Sequence, residues 1–140
     1  MKTMYKISLS YLIFGLLAGV FNHEAAYWTH FEGDSALARV HPHALVLGAL
    51  VFLLVPLFMK AFEIQKYKSF RWFVILYNLG LVMSLVFMAA RGASQLFLMP
   101  FPSFWDHMIG GLAGIGHIIL TVGIGFFFRT LMQSCDSKKD

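Results

Sequence analysis

Long apolar runs separated by brief polar punctuation dominate the chain. They fall at about residues 6–26, 40–62, 71–91 and 106–129, with Lys6, Glu24, Arg39, Lys60, Arg71, Arg91, Asp106 and Arg129 near their ends. About 30 Å of hydrocarbon, crossed at a rise of 1.5 Å per residue, needs about 20 apolar residues, and each run is close to that length. The pattern predicts an all-α protein: a four-transmembrane-helix bundle occupying residues 1–140 as a single integral membrane domain. The segments between runs are too short for a soluble domain, so any chemistry must sit inside the bundle or at its rim.

Composition points the same way. Hydrophobic residues make up 59% and charged residues 13%, against about 25% charged in a soluble domain. A soluble enzyme, a disordered tail and a disulfide scaffold are excluded, the last because Cys135 is the single cysteine. Lys2, Lys6, Lys60, Lys66, Lys68, Arg71, Arg129, Lys138 and Lys139 flank the runs on one side, and only Arg39 and Arg91 on the other. This bias predicts that both termini are cytoplasmic. Cations scattered at helix ends do not make a nucleic-acid footprint. Tyr27, Trp28, Phe104 and Trp105 suit the outer interfacial belt. Lys2 and Lys6 before an apolar stretch also suit a signal peptide. Glu24, Ala25 and Ala26 make a poor cleavage site, however, and retention of the first run is expected.

Six histidines are many for so apolar a chain, and ionisable groups at membrane depth usually serve function. Counting about 1.5 Å per residue from the cytoplasmic cations puts His117 about 18 Å deep, His23 and His43 about 26 Å, His41 about 29 Å and His107 about 33 Å. His30 falls in the outer loop. The cytoplasmic half has no histidine, which suggests one site opening toward the outer face. On the fourth run His107, Gly110, Gly114, His117 and Thr121 form a single helical stripe. Its glycines either let a neighbouring helix approach closely or leave room for a flat macrocycle beside His117.

His41 and His43 are two positions apart and point to roughly opposite faces of a helix. Asp34-Ser35 suits an N-cap, which would leave Pro42 as a kink inside the helix. A start at Pro42 would instead put it in the favoured first position. His43 is the inward candidate, because its level is nearer that of His117; His41 shares its face with Gly48. His43 and His117 are therefore the expected cofactor and metal ligands, with His41 and His23 as alternates. His107 beside Asp106 and His30 in the loop are explained by interfacial solvation.

Neutral imidazole is a common metal ligand, and two histidines from different helices can ligate one haem axially. Arg39 and Arg91, the two outer-side cations, suit propionate partners, although both also suit interface anchors. Haem b is thus the expected cofactor, for electron transfer or for binding oxygen or nitric oxide. Copper is the alternative, since Met88, Met99 and Met108 lie in the same outer half and thioethers suit Cu(I). A cofactor-free structural or accessory subunit, with the histidines in interhelical hydrogen bonds, is the third reading. No nucleophile–base constellation, phosphate loop or zinc-hydrolase spacing occurs, so turnover would need a cofactor's own chemistry.

The stretch His41-Pro42-His43-Ala44-Leu45-Val46-Leu47-Gly48, running on to Leu54-Val55-Pro56, resembles the haem-ligating second helix of haem–copper oxidase and nitric oxide reductase catalytic subunits. Nearly the whole chain also resembles a family of small four-helix bacterial membrane proteins with a His-x-His-x-x-x-x-Gly second helix. The resemblance implies a b-type haem held by the second-helix His and a later His, here His117, in a bacterial cytoplasmic (inner) membrane. Sliding the alignment by two positions exchanges His41 for His43. A His-x-x-x-Tyr copper motif is missing, and His117 has no second His two residues away, so a complete oxidase site within one chain is not expected. The oxidase helices form three four-helix arcs, which by analogy implies a homo-oligomer of this chain, a trimer, with a separate redox partner or small gas ligand.

Overall fold

The computed structural model describes residues 1–97, 99 and 101–137, and every regular element among them is helical. Lys138 and Lys139, two of the flanking cations, lie outside the described residues. Helix α1 covers Lys2–Thr29, α2 Ala36–His43, α3 Val51–Phe62, α4 Lys68–Leu96 and α5 Ser103–Asp136. A π-helical segment, Ala44–Leu50, joins α2 to α3 without a break, and a short 3-10 turn, Ile64–Lys66, precedes α4. Four helical stretches are therefore long and apolar enough to cross a membrane: Lys2–Thr29, Ala36–Phe62, Lys68–Leu96 and Ser103–Asp136. Each overruns its apolar run by up to two turns, because backbone hydrogen bonding continues into the polar interface after the hydropathy has fallen. The protein is a multi-pass membrane protein by this measure.

Sequence chemistry explains the ends of the second span. Ser35 has extended backbone and its Oγ accepts from Leu37 N–H at 3.0 Å, satisfying one of the free donors of a helix start. The helix therefore begins before Pro42, which lies inside α2. Proline has no N–H to donate one turn back, and the wide π segment follows almost at once. Two of that segment's carbonyls receive side-chain donors from other helices: Tyr77 O–H to Leu47 O at 2.9 Å and Ser8 Oγ–H to Ala49 O at 2.7 Å. Such widened turns recur at functional sites, and this one begins directly after His43.

The spans form an open row. Helix α1 packs along α2, the π segment and α3; α2 packs on α4; and α4 lies against α5 along most of their length. Helix α5 also touches α3 and the Ile64–Lys66 turn, but makes no backbone contact with α1, α2 or the π segment among the described residues. The half of the bundle nearer the two termini is filled by aromatics. Phe52, Phe73 and Tyr77 are fully buried, and Phe73 meets Phe127 of α5 with ring centroids 4.7 Å apart. Contacts of that kind combine large buried area with favourable ring geometry. At the opposite end α2 and α5 diverge, and a cleft opens between them.

Candidate functional site

The α4–α5 seam is built on glycine. A Cβ at Gly116 would come within 2.7 Å of Ser84 Oγ, and one at Gly123 within 2.6 Å of Tyr77 N, so the two backbones meet directly, as small residues allow in membranes. Gly114, two residues from Gly116 and on the opposite face, has nothing within 4 Å of where its Cβ would be, and Gly110 has only Arg91 Nη1, at 3.6 Å. The stripe His107, Gly110, Gly114, His117 therefore does not serve helix packing within the chain. It fronts open space.

Gly110 and His117 of that stripe, but not Gly114 or His107, line a cleft between α2, α4 and α5. Its walls are Ala36, Arg39 and His43 from α2, Phe87, Met88 and Arg91 from α4, and Ile109, Gly110, Ala113 and His117 from α5, around a volume of about 230 Å³. Four of the residues singled out by sequence (His43, His117, Arg39 and Arg91) thus line one cavity. The two imidazole rings meet edge to face, with centroids 6.0 Å apart and planes at 86°.

Both rings are held by the same device. His43 Nδ1 lies 2.8 Å from Arg39 O, one helical turn back, and His117 Nδ1 lies 2.8 Å from Ala113 O. A carbonyl oxygen only accepts, so each Nδ1 carries the proton and each Nε2 keeps its lone pair. Ser84 Oγ donates to Gly80 O at 2.9 Å and stands 3.3 Å from His117 Nδ1, a second acceptor for the same proton. Neither Nε2 has a hydrogen-bond partner among the described residues. Nδ1 fixed on a backbone carbonyl and Nε2 free is the arrangement that orients metal-binding histidines.

The other histidines lie elsewhere. His41 points to the opposite face, with Nδ1 2.8 Å from Gly15 O and its ring laid over Gly19 of α1. His23 is exposed on α1 and does not line the cleft. His30 caps the end of α1 in left-handed geometry. His107 belongs to a separate cavity of about 600 Å³ shared with Arg91, Asp106 and Gln95. Of the three methionines considered for copper, Met88 lines the cleft, while Met99 and Met108 are exposed outside it.

Both arginines already hold carboxylates. Arg91 Nε and Nη2 form a fork on Asp106 at 2.9 and 2.8 Å, and Arg39 Nη2 lies 2.5 Å from Asp34. These acidic partners were not apparent from the sequence; Asp34 five residues before Arg39 was the one available signal. Arg91 Nη1 is the part of the guanidinium that remains beside Gly110 in the cleft, free to meet a further anion.

The fit to a metal group can be tested on these residues. Among the described residues no three His, Cys, Asp or Glu side chains converge, so the cleft offers a pair of imidazoles rather than a multidentate cage. A centroid separation of 6.0 Å is close to what two imidazoles sharing one metal at about 2.0–2.1 Å would require. The donor set suits a metal whose remaining positions are filled by a macrocycle. The volume, about 230 Å³, is smaller than the roughly 300–1,000 Å³ that encloses a drug-sized ligand, so the cleft would enclose only part of a macrocycle.

An all-helical, multi-pass membrane protein with a histidine pair between its second and fourth spans is the class that fold and cleft define. Residues 1–134 match the family described as Protein of unknown function (DUF2871), and the chain belongs to that family. No curated protein and no solved structure matches it, so these comparisons carry no link to the haem–copper oxidases.

Proposed function

We propose that the protein is a b-type haem-binding membrane protein, with His43 and His117 as axial ligands, acting in electron transfer or small-gas binding. One observation carries the reading: two imidazoles from separate spans meet edge to face with centroids 6.0 Å apart, each with Nδ1–H spent on a backbone carbonyl. Bound haem would supply one-electron or gas-ligating chemistry. The chain's own residues fix the two imidazoles, leave a glycine-lined flank at Gly110, and present Arg91 Nη1 and Arg39 to propionates at the mouth. If both histidines held the haem, electron transfer would be favoured over gas binding.

The positive-inside bias supports cytoplasmic termini and a site in the outer half of a bacterial inner membrane. The open flank of the cleft, beside a helix with no partner on that face, supports a homo-oligomer in which a second copy or lipid covers the projecting edge. Purified from haem-replete cells, the protein should show a Soret band; a colourless preparation overturns the reading. Met88 in the cleft wall favours Cu(I) as the second reading. Stoichiometric copper without a Soret band, lost on Met88→Leu, would establish it instead.

A further inference from the structure

A second cavity lies on the other side of α4, where α1 and α4 part. It is an open groove of about 400 Å³, walled by Ile7, Tyr11 and Phe14 of α1 and by Asn78, Val82 and Val86 of α4. Its polar groups are Ser10, whose Oγ donates to Lys6 O at 3.0 Å, and a Tyr11–Asn78 pair. Tyr11 O–H donates to Asn78 Oδ1 at 3.0 Å, and Asn78 Nδ2 donates to Val74 O at 2.7 Å. An amide nitrogen has two hydrogens and a phenol oxygen has lone pairs to spare. One N–H of Asn78 and the accepting side of Tyr11 Oη therefore have no partner among the described residues. Each of these atoms already makes one hydrogen bond, and the capacity left over is open to a polar head in the groove.

Depth separates the kinds of molecule that would meet them. Tyr11 lies about 8 Å along the helix from Lys6, and Asn78 about 10 Å from Arg71, at 1.5 Å per residue. Lysine and arginine mark the headgroup level, so the pair sits deeper than the ester carbonyls of a phospholipid. The groove is within the size range of small-molecule sites, and its walls are apolar. It asks for a flat, membrane-soluble head bearing a carbonyl oxygen for Asn78 N–H and, when reduced, a hydroxyl for Tyr11 Oη.

We infer that the α1–α4 groove binds a prenyl quinone, with Asn78 and Tyr11 meeting its ring oxygen. The test uses the full-length protein in quinone-free phosphatidylcholine nanodiscs with a photoreactive azido derivative of a short-chain ubiquinone. Saturable labelling is expected on peptides containing Phe14, Val82 or Val86, displaced by decylubiquinone. Asn78→Leu should weaken it about tenfold, as loss of one buried hydrogen bond does. Val82→Trp, at an exposed position that keeps the amide and fills the groove, should abolish it without changing the melting temperature. Labelling that does not saturate, that diacylglycerol displaces as well as quinone does, or that falls on the His43–His117 cleft overturns the inference. No haem enters the readout, so a colourless protein that binds the probe leaves this site standing and removes only the other.

Discussion

Gly116 and Gly123 of α5 lie against the backbone of α4, whereas Gly114, only two residues from Gly116, looks into open space. The same residue type on one helix serves close approach on one face and vacancy on the other. The contrast runs through the whole molecule. Where α3, α4 and α5 meet, phenylalanine rings fill the interior and glycines let backbones touch. Where α2 and α5 diverge, Gly110, two imidazoles and two arginines surround a cleft. A membrane protein gains no hydrophobic stabilisation from leaving such a gap between its helices, since packing is what drives their association. The open half is therefore the half to be read for function.

The largest expected difference lies between the two glycine faces. Gly116→Leu would drive a side chain into Ser84, whose backbone nitrogen is only 2.9 Å from the first added atom, and should destabilise by about 3 kcal/mol or more, the upper end of overpacking costs. Gly110→Leu, on the same open face as Gly114 and in the wall of the cleft, should leave stability within about 0.5 kcal/mol yet block whatever occupies the cleft. Thermal unfolding in detergent alongside cofactor content separates the two. Equal loss of stability in both would erase the distinction between faces.

The mouth of the cleft should respond more weakly. Arg91→Gln removes the guanidinium from Asp106 and Gly110; because the pair is partly exposed, with side chains 41% and 34% accessible, stability should change by less than about 1 kcal/mol. Haem retention, followed by transfer to apomyoglobin, should weaken about tenfold or more for a lost charge-assisted contact. Arg39, whose ion pair is more exposed, should show a smaller loss on Arg39→Gln. The smallest effect is expected for Ser84→Ala. The proton on His117 Nδ1 keeps Ala113 O, so haem should be retained within about twofold, with at most a displaced absorption band.

Much of the fold was legible from hydropathy, because each span needs one long apolar run and nothing else in the chain supplies one. The convergence of His43, His117, Arg39 and Arg91 was legible too, since depth along a helix follows from residue count. Depth favoured His43 over His41, but the reason His43 faces the cleft was not legible. It turns on a helix that starts at Ser35 and passes through Pro42 into a π segment, and a widened turn has no hydropathy signature. The open row of helices was likewise hidden: apolar periodicity does not tell lipid from a neighbouring helix, and α1 and α4 show little amphipathicity. The roles of the glycines required the neighbours to be known, as did the pairing of Arg91 with Asp106, fifteen residues away across the α4–α5 loop.

The central claim is that His43 and His117 together hold one haem. The reduced-minus-oxidised absorption spectrum of the wild-type protein, beside His43→Ala, His117→Ala and His41→Ala, tests it most directly. A b-type spectrum lost or converted to high-spin in the first two variants, and kept in His41→Ala, is the predicted result. No haem signal in the wild type, or a signal that survives in both His43→Ala and His117→Ala, would contradict it.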